Sequence, residues 1–362
     1  MMAPGDLISK ALRDPRSVLT LKPADLDLLV RQARQTMLLA RLGIVLNEHG
    51  YLAQLPAAAR AHFEAAQVVT DKQDCAIRWE LNRIQAALQH ALPEVILLKG
   101  AAYVMAGLPA ARGRFFSDVD ILLPKEKLGT AEAALMLNGW ISTHHNAYDQ
   151  RYYRTWMHEL PPMLHLTRQT LLDVHHAILP ETARLHPNPQ KLIAAAVPIA
   201  GCNGLKILAP ADMLLHSATH LFHEGEFDNA LRDLSDLDAL LRFFSQQQTD
   251  FWETLVARAT ALDLTRPLYY ALRYTARILH TPVPSGILQA THLKTPGWFL
   301  TRVMDMLFSR AFQPRHASCD DWLTRPALWL LFVRSHWLKM PFLLLVRHLF
   351  HKALIAPKGS KS

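Results

Sequence analysis

Cysteine is scarce in this 362-residue sequence. Cys75, Cys202 and Cys319 stand far apart, are odd in number and form no Cys-x-x-Cys pair. That excludes a zinc ribbon and a disulfide framework as the source of stability, and it points to a reducing compartment. Long apolar runs are also lacking. The C-terminal stretches Ala327–Val333 and Met340–Val346 are seven residues each, far short of the ~20 apolar residues that span a bilayer, so no transmembrane helix is expected. The opening MMAPGDLISKALRDP has no apolar core of about 7–15 residues such as drives export, and the cytoplasm is the expected location. Acidic residues are missing after Asp321, whereas Arg325, Arg334, Lys339, Arg347, Lys352, Lys358 and Lys361 all follow it. The formal net charge is +8, so nearly all of it sits in this tail and the body is close to neutral. A near-neutral body argues against a nucleic-acid-binding core, and a basic tail points to a local anionic contact. No internal repeat or low-complexity tract is present. With 50% hydrophobic and 19% charged residues, the composition is globular rather than disordered.

The apolar spacing changes along the chain. Asp25–Leu46 and Ala57–Leu92 carry apolar residues three and four apart, a helical pattern. Val95–Leu98 is a short apolar run between Pro93 and Gly100, as in a buried strand. Ala101–Gly107 follows as a helix, Leu108–Phe116 as a loop, and Val119–Leu123 as a strand entered at Asp118 and stopped by Pro124. Lys127–Asn138 reads as a helix capped by Gly139. Trp140–Thr143, Arg151–Trp156, Met163–Thr167 and Leu171–His175 read as strands. Helices resume over Pro210–His223, Asn229–Phe244, Phe251–Leu279 and Gly297–Phe308. The expected fold class is α+β, a mixed-sheet core with helical additions at both ends. The expected division is a helical region over 1–92, an α/β core over 93–208 and a helical domain with a basic amphipathic tail over 209–362.

The chemistry concentrates in the core. Alternate residues of a strand share a face, so Asp118 and Asp120 point the same way while Val119 and Ile121 point inward. Two carboxylates side by side repel, and a divalent cation resolves the conflict. Asp173, within Leu171–His175, is the third candidate. Three carboxylates on neighbouring strands would hold the metal for in-line phosphoryl or nucleotidyl transfer. Gly100 lets a phosphate approach the backbone, and the helix after it offers free N–H groups. Lys99 and the loop residues Arg112 and Arg114 are candidate phosphate contacts, and Ser117 caps the strand entry. His175 shares the face of Asp173. His216, His220 and His223, at i, i+4 and i+7, have a spacing that can bind metal, but their apolar setting favours packing. Arg232 and Asp236, four apart, suit a helix-surface pair.

Leu98-Lys99-Gly100-Ala101, an arginine-containing loop, Ser117-Asp118-Val119-Asp120 with its apolar continuation, and Leu172-Asp173-Val174-His175 together resemble the uncharacterised nucleotidyltransferase family of bacteria, in the polymerase-beta-like nucleotidyltransferase superfamily. The resemblance covers about residues 93–245. It continues through Pro210-Ala211-Asp212-Met213-Leu214-Leu215-His216, His220, Arg232, Asp233 and Asp236. It implies a nucleotidyltransferase fold using Mg²⁺ or Mn²⁺ and a nucleoside triphosphate such as ATP as substrate. Asp118 and Asp120 match the paired metal ligands, and Asp173 the third carboxylate, which activates the acceptor hydroxyl. Lys99-Gly100 stands where the wider superfamily has a Gly-Ser or Gly-Gly turn around the triphosphate, with Ser117 and Arg114 beside it. Lysine in place of a small residue is a departure. The acceptor would be a small molecule, a protein side chain or an RNA end.

Two other readings compete. A glycosyltransferase using Asp-x-Asp would have an apolar strand leading into the pair, whereas here the apolar run follows it. A degenerate accessory protein on a membrane or in a complex would use the tail. At 100° per residue, Arg347, His348, His351 and Lys352 fall within about 140° of one another. Residues 326–354 would then meet anionic lipid at the inner face of a membrane, or form a docked helix with a basic outer face.

Overall fold

The computed structural model describes residues 5–143, 147–223, 225–289 and 293–341. The sheet strands lie between Val95 and Ile207: β1 (Val95–Leu97), β2 (Asp118–Leu122), β3 (Trp140–Ser142), β4 (Met163–His165), β5 (Leu171–His175), β6 (Val197–Pro198) and β7 (Leu205–Ile207). They form one mixed sheet in the order β3-β4-β5-β2-β1-β7-β6. β1 is antiparallel to β2 and parallel to β7. β2 and β5 run parallel in the centre of the sheet, with Asp118 opposite Leu171 and Asp120 opposite Asp173. The fold is therefore α+β, a mixed sheet with helices before and after it.

Val95, Ile96 and Leu97 are buried throughout, as are Val119, Ile121 and Leu122 of β2. Burial on both faces explains why these strands read as apolar runs. Before the sheet come helices at Pro23–Gln35, Leu39–Glu48 and Ala57–Leu88. After it come Pro210–His223, Ala230–Gln247, Phe251–Ala261, Thr265–Tyr274, Trp298–Ala311 and Thr324–Lys339. Buried apolar residues form one contiguous cluster that includes Ile8, Leu97, Phe222 and Leu331.

Three readings need correction. Arg151–Trp156 belongs to a helix, Ala147–Trp156, and not to a strand. Its alternation of polar and aromatic residues also satisfies helical spacing, with the Tyr152 and Trp156 rings 5.7 Å apart and Arg154 forked onto Glu132 at 2.6 and 2.9 Å. The expected helix over Phe251–Leu279 breaks at Asp263, which takes a left-handed φ of 55°. Asp236 does not pair with Arg232 on the helix surface; it is buried, and Arg232 bonds Asp233 instead. The expected basic amphipathic segment beyond Pro341 lies outside the described residues.

Candidate active site

The parallel pairing of β2 with β5 builds the site. It sets Asp120 beside Asp173, while the strand period turns Asp118 to the same face. One carboxylate oxygen from each of Asp118, Asp120 and Asp173 lies within 4.8 Å of the others. Asp120 is buried, and Asp118 and Asp173 are half-buried. Ser117 donates its hydroxyl to Asp118 Oδ1 at 2.9 Å, so its polar group serves the carboxylate pair directly.

Asp120 is the electrostatic centre. Its Oδ1 accepts from Lys99 Nζ at 3.0 Å and from His175 Nε2 at 3.0 Å. Burial alone would raise its pKa, but the Lys99 charge and the His175 hydrogen bond hold the carboxyl well below the usual range. Reciprocally, Asp120 overrides the desolvation of Lys99 and pushes the ammonium pKa up. His175 Nδ1 lies 3.2 Å from Glu159 Oε2, so the imidazole bridges two carboxylates. Burial opposes its charge, but the bond to Asp120 and the charge on Glu159 prevail and raise its pKa. At Asp173 the favourable His175 charge is outweighed. Burial, then the charges on Asp120 and Glu159, push its carboxyl up to about 7.

The turn after β1 completes the site. Lys99 adopts φ 43°, in the left-handed region that side chains with a Cβ disfavour. The backbone there is shaped as for a small residue, while the side chain supplies a cation. Gly100 is sterically required: a Cβ on it would lie 2.5 Å from the Phe116 ring and 2.7 Å from Arg114 Nη1. Arg114 is buried over the Phe116 ring, 5.2 Å from its centroid. Its Nε donates to Asp236 Oδ2 at 2.7 Å, and Arg41 Nη2 meets Asp236 Oδ1 at 2.7 Å. These two guanidiniums outweigh burial and lower the Asp236 pKa. Arg114 thus links the Lys99–Gly100 turn to the Ala230–Gln247 helix.

Between the sheet and the C-terminal helices lies a cavity of about 300 Å³, at the lower end of ligand-sized sites. Lys99, Gly100, Ser117, Asp118, His220 and Arg232 are among the residues lining it. Burial and the Lys99 charge keep His216 and His220 neutral by lowering their pKa values far below the usual one. The three-histidine helix face does not assemble a metal cluster among the described residues. Arg112 points elsewhere, 2.6 Å from Glu48. Arg168 is not a partner of Asp173; it grips Glu80 at 2.8 Å and stacks over Trp140 at 4.6 Å.

Sequence reasoning missed Glu159 and His158, which with His175 form a second cluster of close donor atoms. They precede Leu160-Pro161-Pro162 and carry no periodic signal. A single antiparallel bridge between Glu159 and His175 brings them to β5.

The carboxylate cluster fits a hard divalent cation. Its donors are all oxygen, as Mg²⁺ and Mn²⁺ prefer. Burial and the neighbouring carboxylates both push Asp173 up, and a cation among the three carboxylates would offset both. A mixed sheet that gathers three carboxylates, two of them lining a cavity beside the Lys99–Gly100 turn, defines a nucleotidyltransferase-like protein. The family described as uncharacterised nucleotidyltransferase matches residues 22–280, more than two-thirds of the chain, and the protein belongs to it. No curated protein and no solved structure matches the chain.

Proposed function

We propose that this protein transfers a nucleoside monophosphate from a nucleoside triphosphate to a hydroxyl acceptor, releasing pyrophosphate. The observation that carries this reading is the convergence of Asp118, Asp120 and Asp173 within 4.8 Å, with Asp118 and Asp120 lining the cavity next to Lys99 and Gly100. Asp118, Asp120 and Asp173 would hold Mg²⁺ or Mn²⁺, which when bound neutralises phosphate charge and activates the attacking oxygen. In the reaction the acceptor oxygen forms a bond to the α-phosphorus, and the bond from that phosphorus to the bridging oxygen breaks. Asp173 takes the acceptor proton. The Lys99 ammonium neutralises the outgoing phosphates, and Gly100 opens the turn for them. Arg114 positions the turn through Asp236 and contacts phosphate with its remaining N–H groups. Family membership and the place of Asp118 as the first residue of β2 favour nucleotidyl over glycosyl transfer.

The test is incubation with each labelled nucleoside triphosphate and Mg²⁺ or Mn²⁺, beside Asp118→Asn/Asp120→Asn. Metal-dependent binding and pyrophosphate release that vanish in the variant are expected. A folded protein that binds no nucleotide refutes the reading.

One observation favours a second reading, a catalytically silent accessory protein: Lys99 Nζ occupies a metal-ligand oxygen at 3.0 Å. Lys99→Ala separates the two. If the lysine serves phosphate, metal is retained and nucleotide affinity drops. If the lysine has replaced the metal, the wild type binds no Mn²⁺ and Lys99→Ala gains it.

A further inference from the structure

The helix Thr324–Lys339 packs on Trp298–Ala311 and takes Arg184 over its Trp337 ring at 4.1 Å, yet much of its outward side has the wrong chemistry for a water-exposed surface. Its inner side consists of Thr324, Ala327, Leu331 and Ser335, with Arg334 donating to the Phe222 carbonyl at 2.7 Å. Its outer side shows Trp329 (63% exposed), Leu330, Phe332, Val333 and Trp337. At 100° per residue these five fall within one arc of about 160°, which they share with Arg325 and His336. Trp322, immediately before the helix, is 84% exposed. The packed neighbour helix, Trp298–Ala311, opens with exposed Trp298, Phe299 and Leu300. Four of the protein's eight tryptophans are therefore exposed in this one region. Scattered apolar residues on a surface need no explanation, but a contiguous aromatic face does.

Charge identifies the occupant. Among the described residues Arg325 and Lys339 stand at the two ends of this helix, and no Asp or Glu occurs between Trp322 and Pro341. A second copy of this chain would bring like charge against like, whereas an anionic surface complements it. Tryptophan and tyrosine favour the boundary between lipid and water, and polybasic segments are drawn to anionic headgroups. No described helix is long and apolar enough to cross a membrane. We propose that the outer face of Thr324–Lys339, with the adjoining Trp298–Leu300 and Trp322, lies on the surface of an anionic lipid bilayer. The apolar face and the cations at Arg325 and Lys339 together supply the two signals that stable peripheral attachment requires. The inference does not depend on the catalytic reading.

The experiment uses the full chain. Sedimentation with vesicles of phosphatidylcholine and phosphatidylglycerol at 3:1 is compared with pure phosphatidylcholine, at low and high salt. Tryptophan quenching by brominated lipid is read in parallel. Strong partitioning to the anionic vesicles, weakened by salt and accompanied by quenching, is expected. Trp322→Ser/Trp329→Ser should lose at least tenfold in partitioning with unchanged circular dichroism. Leu137→Ser, at an 88% exposed apolar site elsewhere, should lose nothing. No association with anionic vesicles overturns the proposal, as does a double variant that binds like the wild type. So does a lipid-free self-association that the double variant abolishes, since that assigns the face to a second copy.

Discussion

Replacing Asp173 by asparagine should stabilise the metal-free protein while removing its response to metal. In the folded chain the Asp173 carboxyl is pushed from 3.8 up to about 7. Between those values the folded state keeps a proton that the unfolded state has lost. Stability from this group therefore falls as pH rises from about 4 to about 7, and then levels off. Each pKa unit corresponds to about 1.4 kcal/mol, so the shift is worth about 4 kcal/mol in full. The group is only half-buried, and solvent screening reduces this to roughly 2 kcal/mol. Asparagine keeps the shape without the charge. At pH 8.5, without divalent ions, Asp173→Asn should melt ~2–4 °C above the wild type, given the per-residue unfolding entropy of a chain this long; at pH 4 the two should coincide. Saturating Mg²⁺ or Mn²⁺ with nucleotide should reverse the order, because a ligand at about 100 times its Kd adds about 2.7 kcal/mol to the state that binds it. Scanning calorimetry across pH, with and without metal, measures both effects. A variant less stable than the wild type at pH 8.5 without metal, or one with an undiminished metal response, would refute this account of the site.

Two further changes test its scaffold. Gly100→Ala places a methyl group 2.5 Å from the Phe116 ring, and overpacking of this kind costs about 1–3 kcal/mol; urea denaturation should show the loss, and nucleotide affinity should fall with it. Asp236→Asn strips the counter-charge from Arg41 and Arg114, both buried. Breaking a buried pair costs about 3–5 kcal/mol, and a loss below about 1 kcal/mol by the same assay would show that the two guanidiniums are satisfied elsewhere.

The central strands were legible because they are short, apolar and bounded by proline or glycine. Val95–Leu97, between Pro93 and Gly100, and the run ending at Leu123 before Pro124 stand out in that way, and the strand period alone sets Asp118 and Asp120 on one face. Register across the sheet was not legible. That Asp120 meets Asp173, and not a residue two places away, follows from the β2–β5 ladder. The Asp236 cluster was also hidden, since Arg41 and Asp236 are far apart in sequence and a four-residue spacing to Arg232 offered a simpler partner. Arg151–Trp156 satisfied both the strand and the helix period; the fork of Arg154 on Glu132 belongs to the helix. The aromatic face of Thr324–Lys339 was concealed for a related reason. A helix apolar on both sides gives no contrast, so the sequence shows a greasy segment without showing which side is covered.

Lys99 carries the charge compensation of this site from the turn after β1. Three carboxylates within 4.8 Å are mutually repulsive in a partly buried site, and something must compensate them before substrate arrives. Lys99 and His175 both do so through Asp120 Oδ1, and Glu159 fixes the far side of the imidazole. The strained φ of 43° at Lys99 is the cost of bringing an ammonium to this point from the phosphate turn. In the proposed reaction a divalent cation replaces that compensation, and the lysine is released beside the turn where the triphosphate would lie. Lys99 is then a counter-ion kept in reserve. On this argument the Lys99–Asp120 contact belongs to the substrate-free enzyme and should be exchanged for a Lys99–phosphate contact once metal and nucleotide are bound.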